Sequence, residues 1–426
     1  MEVAVRTSVE MSLSEYRRLR EEFFGRHGHR WPGTLEDAFD ILAAYPMNRE
    51  ECDAIRKATA GLTAIYKKAA VLFRRLPDQV LVDLGVPSYL FGAVRRGIPG
   101  MSDCVVGRFD LVRTEDGYRM LEFNSDAPGL IVEAFSVNEE VCRAEDKSDP
   151  NAGCEAALAC ALTQAVRAGL DYVGRSTKND INIVVTFGER YSRDRAAAVY
   201  LSELLHEFAA ECAPIETLGL DVHGLYDPGG KPIDVLYRFT PLKFIRNELF
   251  RPHGEVLHPE MGGLLLHLIE SRRLAMINPP FAFLLESKAI QAVIWNLFEA
   301  GQYFDDRDCR LIETYMLPTY LDPPSGQYAY VIKPVMGAEG DTITLMDQGK
   351  KIVSEARYTT YSDQPMVYQK YVALPQEQLM TEYGPRTLHL ATSCFVTSGI
   401  PAAICIRAGE AITDETAWVL PVSAVA

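Results

Sequence analysis

A chain of 426 residues is long for one hydrophobic core, and at about 150 residues per lobe it suggests two or three lobes. Hydrophobic content of 48% and charged content of 24% are ordinary for a globular protein, while 43 Lys and Arg against 58 Asp and Glu leave a net charge of -15. That balance excludes the broad basic footprint of a nucleic-acid partner and leaves room for a few local cations around a small anionic ligand.

The nine cysteines are scattered without any C-x-x-C spacing, which argues against a zinc site and against a disulfide framework. The N-terminal stretch lacks the apolar core of a signal peptide, and no apolar run approaches the roughly 18 residues of a membrane span. The expected location is cytoplasmic, with no membrane partner.

Apolar residues at helical spacing predict helices between Ser12 and Leu76, with a further short helix at Leu35 to Ala44. Gly107 to Asp126, GRFDLVRTEDGYRMLEFNSD, then reads as two alternating strands around a polar turn. With a three-residue loop of Glu115, Asp116 and Gly117, Thr114 pairs with Tyr118. Asp110 then lies opposite Glu122, and Arg108 opposite Asn124, all on one face. A two-residue turn would put the two carboxylates on opposite faces. Facing carboxylates repel unless something positive sits between them. A hard cation such as Mg²⁺ suits them, with Asn124 as a further oxygen ligand and Arg108 aimed at anionic oxygens. The same alternation also suits solvated polar positions on the open face of an antiparallel sheet.

Beyond the hairpin, Leu130 to Cys142 reads as a helix, Glu145 to Gly153 as an exposed loop and Glu155 to Tyr172 as another helix. A strand at Ile181 to Phe187, a helix at Arg193 to Cys212 and a strand at Val235 to Phe239 follow. Next come a helix at Leu264 to Leu274, a short strand ending in MINPP and a helix at Leu285 to Phe298 carrying Lys288. Such alternation implies an α/β lobe. The last third is β-rich: YAYVIKP, GAEG and DTITLM form strand, glycine loop and strand, followed by KIVSEA, MVYQKYV and two strands between Ser393 and Arg407.

Lys333 ends a strand just before Gly337 and Gly340. Strand leads to strand here, unlike the strand-to-helix phosphate loop, so the loop has the form of a flap whose backbone N–H groups close over phosphates. A glycine-containing hairpin with a surface lysine has the same pattern. MVYQKYVALP has the form of a hinge where the Gln369 amide and backbone groups would hold adenine in an apolar slot; an edge strand stopped by proline looks alike. Arg407 closes the set, with a surface ion pair as its plain alternative.

In order along the chain, GRFD with LEFNSDAPGLIVEA, SKA at Ser287 to Ala289, VIKPVMGAEGDTITL, VYQKYVALP and GIPAAICIRAGEAIT resemble the ATP-grasp ligases. The specific resemblance is to the synthetase domain of the glutathionylspermidine synthase family. It implies an α/β (α+β) fold of ATP-grasp architecture: a helical layer plus metal-binding hairpin at 1–175, an α/β, pre-ATP-grasp-like lobe at 176–285, and a β-rich ATP-grasp lobe with a glycine lid at 286–426. It also implies ATP and Mg²⁺ as cofactors and amide formation between a carboxylate and an amine through an acyl phosphate. Arg108 would steady the acyl phosphate and the tetrahedral intermediate, Asp110, Glu122 and Asn124 would hold Mg²⁺, and Arg407 would face the γ-phosphate. Lys288, Lys333, Gly337, Gly340 and Gln369 would contact ATP, and Ser125, Asp126 and Arg193 would meet substrate.

Two departures bear on that substrate. The lid reads Gly337-Ala338-Glu339-Gly340 where the family often has G-R-E-G, so an arginine for a peptide substrate is missing. The consecutive acidic residues that polyamine-using members place after the INIVVTF strand fall on Arg193-Asp194. The expectation is therefore an amide-forming ligase acting on a small peptide or amino acid, with small-molecule carboxylate and amine partners. A glutathionylspermidine synthetase proper and a catalytically silent nucleotide-binding scaffold are the alternatives. The sequence does not set the oligomeric state.

Overall fold

The computed structural model describes residues 11–26, 41–177, 180–190, 192–245, 251–252, 261–324, 328–347, 350–353 and 358–425. A six-stranded antiparallel sheet joins the central hairpin to the last strands of the chain. Trp418–Leu420, Ile400–Gly409, Gly384–Thr397, Val106–Thr114 and Gly117–Asn124 lie in that order, and Gln376–Thr381 pairs with Gly384–Thr397.

Strand alternation gives the hairpin two unlike faces. On one, Phe109 and Phe123 stack at 4.0 Å and both receive the edge of Tyr66. Tyr66 belongs to the Arg49–Phe73 helix, which buries Ile55, Leu62, Ile65, Ala69 and Phe73 at helical spacing. Asn48 caps this helix by accepting from Glu51 N at 2.8 Å, and Glu50 and Glu51 sit in the first turn, where the helix dipole favours them. The other face carries Arg108, Asp110 and Glu122. It is covered as well, so the solvated open face that alternation also allows is not what forms; Asp110 is 3% exposed.

A parallel sheet orders Ala275–Ile277, Val235–Arg238, Ile183–Phe187 and Glu211–Pro214. The Cys154–Tyr172 helix lies so close on it that a Cβ at Gly169 would come within 3.0 Å of Ala275 Cβ. A third, antiparallel sheet orders Thr319–Tyr320, Met366–Lys370, Tyr330–Pro334, Thr344–Asp347 and Lys350–Val353.

Several element ends differ from the sequence expectation. The helix expected at Arg193 to Cys212 runs only over Ser192–Leu204, because the chain turns through Ala209 at φ 49° and Glu211–Pro214 is drawn into the parallel sheet beside Val184 to Phe187. The helix expected at Leu285 to Phe298 is two, Phe281–Glu286 and Lys288–Glu299. They are broken at Ser287, whose hydroxyl donates to Leu84 O at 3.2 Å. The loop at Glu145 to Gly153 is not wholly exposed, since Asn151 is buried and bonds Ala134 O and both backbone groups of Ile404. Of the helix candidate at Leu35 to Ala44, residues 35–40 lie outside the described residues and 41–44 are not helical. The end of KIVSEA also lies outside them. No described helix is long and apolar enough to cross a membrane.

Candidate active site

The hairpin turn is tighter than expected. Thr114 pairs with Gly117 and leaves a two-residue loop of Glu115 and Asp116, with Gly117 at φ 121°, a conformation that calls for glycine. Alone, that turn would separate the carboxylates. A β-bulge restores the register: Leu111 pairs with Met120, Leu121 is the extra residue, and Asp110 then faces Glu122 as Arg108 faces Asn124. The bulge also frees the Leu121 carbonyl, which accepts from Lys333 Nζ at 3.4 Å and Gln369 Nε2 at 3.2 Å.

Asp110 has its acceptor positions filled. Oδ1 accepts from Arg108 Nε at 2.7 Å and Ser393 Oγ at 2.8 Å; Oδ2 accepts from Arg108 Nη2 at 2.9 Å and Asn124 Nδ2 at 3.2 Å. Arg407 Nη1 lies 3.8 Å from Oδ2. Burial works against the Arg108 guanidinium, and the Asp110 carboxylate more than offsets it, so its pKa is raised. Burial lowers Arg407, whose Nη2 donates to Asp414 O at 2.8 Å.

Glu122 faces three cations. Lys288 Nζ is 3.1 Å from its Oε2. Burial would raise this acid, but Lys288, Lys333 and Arg407 together hold it well below the usual carboxylate range. Lys333 is pulled down to about 8 by burial and by Lys288, with Glu122 and Asp110 acting the other way. It donates to Gln369 Oε1 at 2.7 Å.

The glycine loop packs against Lys288 and against Lys243. Its carbonyls, rather than its N–H groups, meet them: Lys288 Nζ donates to Gly337 O and Lys243 Nζ to Met336 O, each at 2.9 Å. Gly340 has φ 72°, and a Cβ there would lie 2.9 Å from Thr413 O, so glycine is required on both counts. A cavity of about 190 Å³ lies beside the loop, lined by Glu339, Gly340, Tyr361, Asp414 and Glu415 among others.

Three expected site residues make internal hydrogen bonds. Ser125 Oγ donates to Ala282 O at 2.7 Å. Asp126 accepts from both terminal nitrogens of the fully buried Arg238 and from Leu242 N, which satisfies its carboxylate. Gln369 spends its amide on Lys333, Leu121 O and Gln291 Oε1, and its bond to Lys333 Nζ sets the direction of that lysine. Arg193 stands in the first turn of the Ser192–Leu204 helix.

Sequence reasoning missed Ser393, Gln291 and above all Asn278. Buried Asn278 accepts from Val105 N and Val106 N and donates to Val106 O, Ser125 O and Asp126 O, clamping the base of the hairpin to the end of a parallel-sheet strand. Its one sequence signal is an asparagine set between a β-strand and two prolines.

The hard oxygen donors of Asp110, Glu122 and Asn124 share a face and suit Mg²⁺ in type. Among the described residues no group of three His, Cys, Asp or Glu side chains converges as a metal site. Arg108, Arg407 and Lys288 compensate the carboxylates, and Asp110 must release one of its four bonds to take an ion.

The glutathionylspermidine synthase preATP-grasp family matches residues 11–424. The chain belongs to this family. The chain is also similar to a curated relative from Haemophilus influenzae named "Putative acid--amine ligase", 21% identical over 287 residues that span 63% of this chain and 63% of that protein. The chain thus matches less than two thirds of that relative's length. A glutathione synthetase like-effector from Globodera pallida, solved in apoform, superposes with a TM-score of 0.54 at 13% identity, covering 98% of each chain. That likeness shows the fold, a mixed helix-and-sheet ATP-grasp architecture. In this glutathionylspermidine synthase family member, Arg108, Arg407, Lys288 and Lys333 surround Asp110 and Glu122 where the six-stranded sheet, the Lys288–Glu299 helix and the glycine loop meet.

Proposed function

We propose that the chain is an ATP- and Mg²⁺-dependent carboxylate–amine ligase that forms an amide through an acyl phosphate, acting on a small peptide or amino acid. The observation that carries this reading is a buried cluster in which four cations, Arg108, Arg407, Lys288 and Lys333, surround the two carboxylates Asp110 and Glu122. Fixed positive groups in a low-dielectric site stabilise charge developing on phosphoryl oxygens.

In the first step a substrate carboxylate oxygen bonds to the γ-phosphorus as the bond to the β–γ bridging oxygen breaks and ADP leaves. In the second, an amine nitrogen bonds to the acyl carbon, the C–O bond to phosphate breaks, and the nitrogen gives up a proton. Lys288 and Lys333 hold the phosphates, with Gln369 fixing the direction of Lys333. Arg407 meets the γ-phosphate, and Arg108 steadies the acyl phosphate and the tetrahedral oxyanion. Mg²⁺, when held by Asp110, Glu122 and Asn124, adds positive charge at the phosphate oxygens. Arg193 favours an amine that carries its own carboxylate.

Purified protein incubated with ATP, Mg²⁺ and pooled acids and amines should release ADP and phosphate, and hydroxylamine should trap the acyl phosphate as a hydroxamate. No ADP release would overturn the ligase reading and leave a nucleotide-binding scaffold. Robust release with spermidine and none with any amino acid or small peptide would point instead to a glutathionylspermidine synthetase proper.

Two further outcomes are expected. The loop from Val335 to Asp341 must open for nucleotide exchange, so ATP·Mg²⁺ should slow proteolytic nicking there several-fold; equal rates with and without nucleotide would count against a lid. Lys333, held down to about 8, loses its charge as pH rises through that value. ATP affinity should weaken over the same range, and Lys333→Arg should flatten the profile; an unchanged profile in Lys333→Arg would remove Lys333 from the phosphate site.

A further inference from the structure

Lys243 stands outside the set of cations proposed to meet ATP, yet it grips the glycine loop by its backbone. Its Nζ donates to Met336 O at 2.9 Å and lies 5.2 Å from the centre of the Tyr361 ring. The turn that carries it, Leu242–Phe244, follows the Val235–Arg238 strand of the parallel sheet. Leu242 N donates to Asp126 Oδ2 at 2.6 Å, so Lys243 reaches out from a fixed point at the base of the hairpin.

The loop is held from other sides as well. Lys288 Nζ donates to Gly337 O and Lys288 N to Val335 O, each at 2.9 Å, and Met336 N donates to Gln364 Oε1 at 3.1 Å. Both backbone groups of Met336 are therefore tied, and the tie to its carbonyl is a charge-assisted bond that comes from the parallel-sheet lobe. In a trans peptide the C=O and N–H point in opposite directions. Holding Met336 O thus also sets Gly337 N, which donates to Pro334 O at 3.2 Å. Lys288 cannot do this work alone, because its ammonium is shared with Glu122 Oε2 at 3.1 Å. Burial lowers the pKa of the Lys243 ammonium, Glu286 opposes that, Lys288 adds to it, and Asp126 and Glu339 oppose it. A cation in such a partly dry place is costly to leave without its acceptor, which makes the bond to Met336 O a strong one.

We infer that Lys243 is a positioning residue that latches the glycine loop to the parallel-sheet lobe, so that closure of the loop over nucleotide depends on a cation that does not itself hold the phosphates. The nucleotide half of this inference rests on the ligase reading, and the latch does not. Tyr361 lines the cavity beside the loop, so the one ammonium joins the loop backbone to the cavity wall.

The test is limited proteolysis of the full chain with a glutamyl endopeptidase, which cuts after the exposed Glu339, alongside calorimetric titration with ATP·Mg²⁺. Without nucleotide, Lys243→Met should speed cleavage after Glu339 by about tenfold, while glutamyl bonds elsewhere are cut at the wild-type rate. It should also raise the Kd for ATP·Mg²⁺ by about tenfold. Lys243→Arg keeps a cationic donor and should recover most of both effects, which a loss of packing alone does not predict. Cleavage after Glu339 that is unchanged in Lys243→Met, or faster by the same factor at every glutamyl bond, would overturn the latch. A Kd that stays at the wild-type value while loop cleavage rises would overturn its link to nucleotide. Wild type that binds no ATP·Mg²⁺ would instead strike the ligase reading, and the cleavage comparison would still decide the latch.

Discussion

Asp110→Asn is expected to lower turnover by about 100-fold or more and to destabilise the fold by about 3 kcal/mol. Simple repulsion between strands predicts the opposite sign for stability, because removing one of two facing carboxylates should relieve strain. The surroundings decide otherwise. Glu122 is already compensated by Lys288, Lys333 and Arg407, so little repulsion is left to relieve. Asp110 accepts both arms of the Arg108 fork, and an asparagine would turn an NH₂ group against that fork and leave a guanidinium, itself 6% exposed, without its counter-charge. Glu122→Gln provides the contrast. Its partner Lys288 keeps a bond to Gly337 O, so turnover should fall at a smaller loss of stability, about 1 kcal/mol. Urea unfolding and steady-state ADP release measure the two effects separately. Full turnover in Asp110→Asn would remove Asp110 from the chemistry, and an unchanged unfolding midpoint would show that the Arg108 fork contributes nothing to the fold.

The face that Arg108, Asp110, Glu122 and Asn124 share was readable because they recur at spacing two on either side of one polar turn. The turn itself was not. A three-residue loop and a two-residue loop use the same Glu115-Asp116-Gly117 letters, and the bulge at Leu121 that reconciles the tighter turn with the register depends on Lys333 and Gln369 taking up its carbonyl. What surrounds Asp110 was hidden for a different reason. Ser393 arrives by strand pairing between the hairpin and the end of the chain, a contact that local periodicity does not encode, and the same pairing brings Arg407, already singled out in the sequence, beside Asp110. The same holds at the Ser192–Leu204 helix, where nothing in the apolar pattern stops it before Cys212 and the pull of the parallel sheet on Glu211–Pro214 does. Gln369 was placed on the right strand, but its buried partners Gln291 and Thr319 were not legible because they come from elsewhere in the sequence.

Arg238→Met should cost more stability than any single change in the proposed catalytic cluster, about 3–5 kcal/mol. Arg238 and Asp126 are both fully buried, and the guanidinium also donates to Thr240 O at 3.0 Å and points Nε at Met276 Sδ. Methionine fills much of the volume but leaves the Asp126 charge with Leu242 N as its remaining donor among the described residues. The loss should spread to the active site only through the scaffold. Asp126 closes the hairpin that bears Glu122 and Asn124, its amide donates to Glu286 Oε2 at 3.0 Å, and its carbonyl is one of the acceptors of Asn278. In the fraction that stays folded, the KM for ATP and for both substrates should therefore be close to wild type, while the urea midpoint falls. Replacing the pair together, Arg238→Met with Asp126→Leu, should recover part of the stability, because the unpaired charge is gone and what remains is the loss of partners at the Leu242 amide and the Thr240 carbonyl. If Arg238→Met instead leaves the midpoint unchanged and raises a substrate KM, Asp126 belongs at the substrate after all and the buried pair is not what holds the hairpin to the parallel sheet.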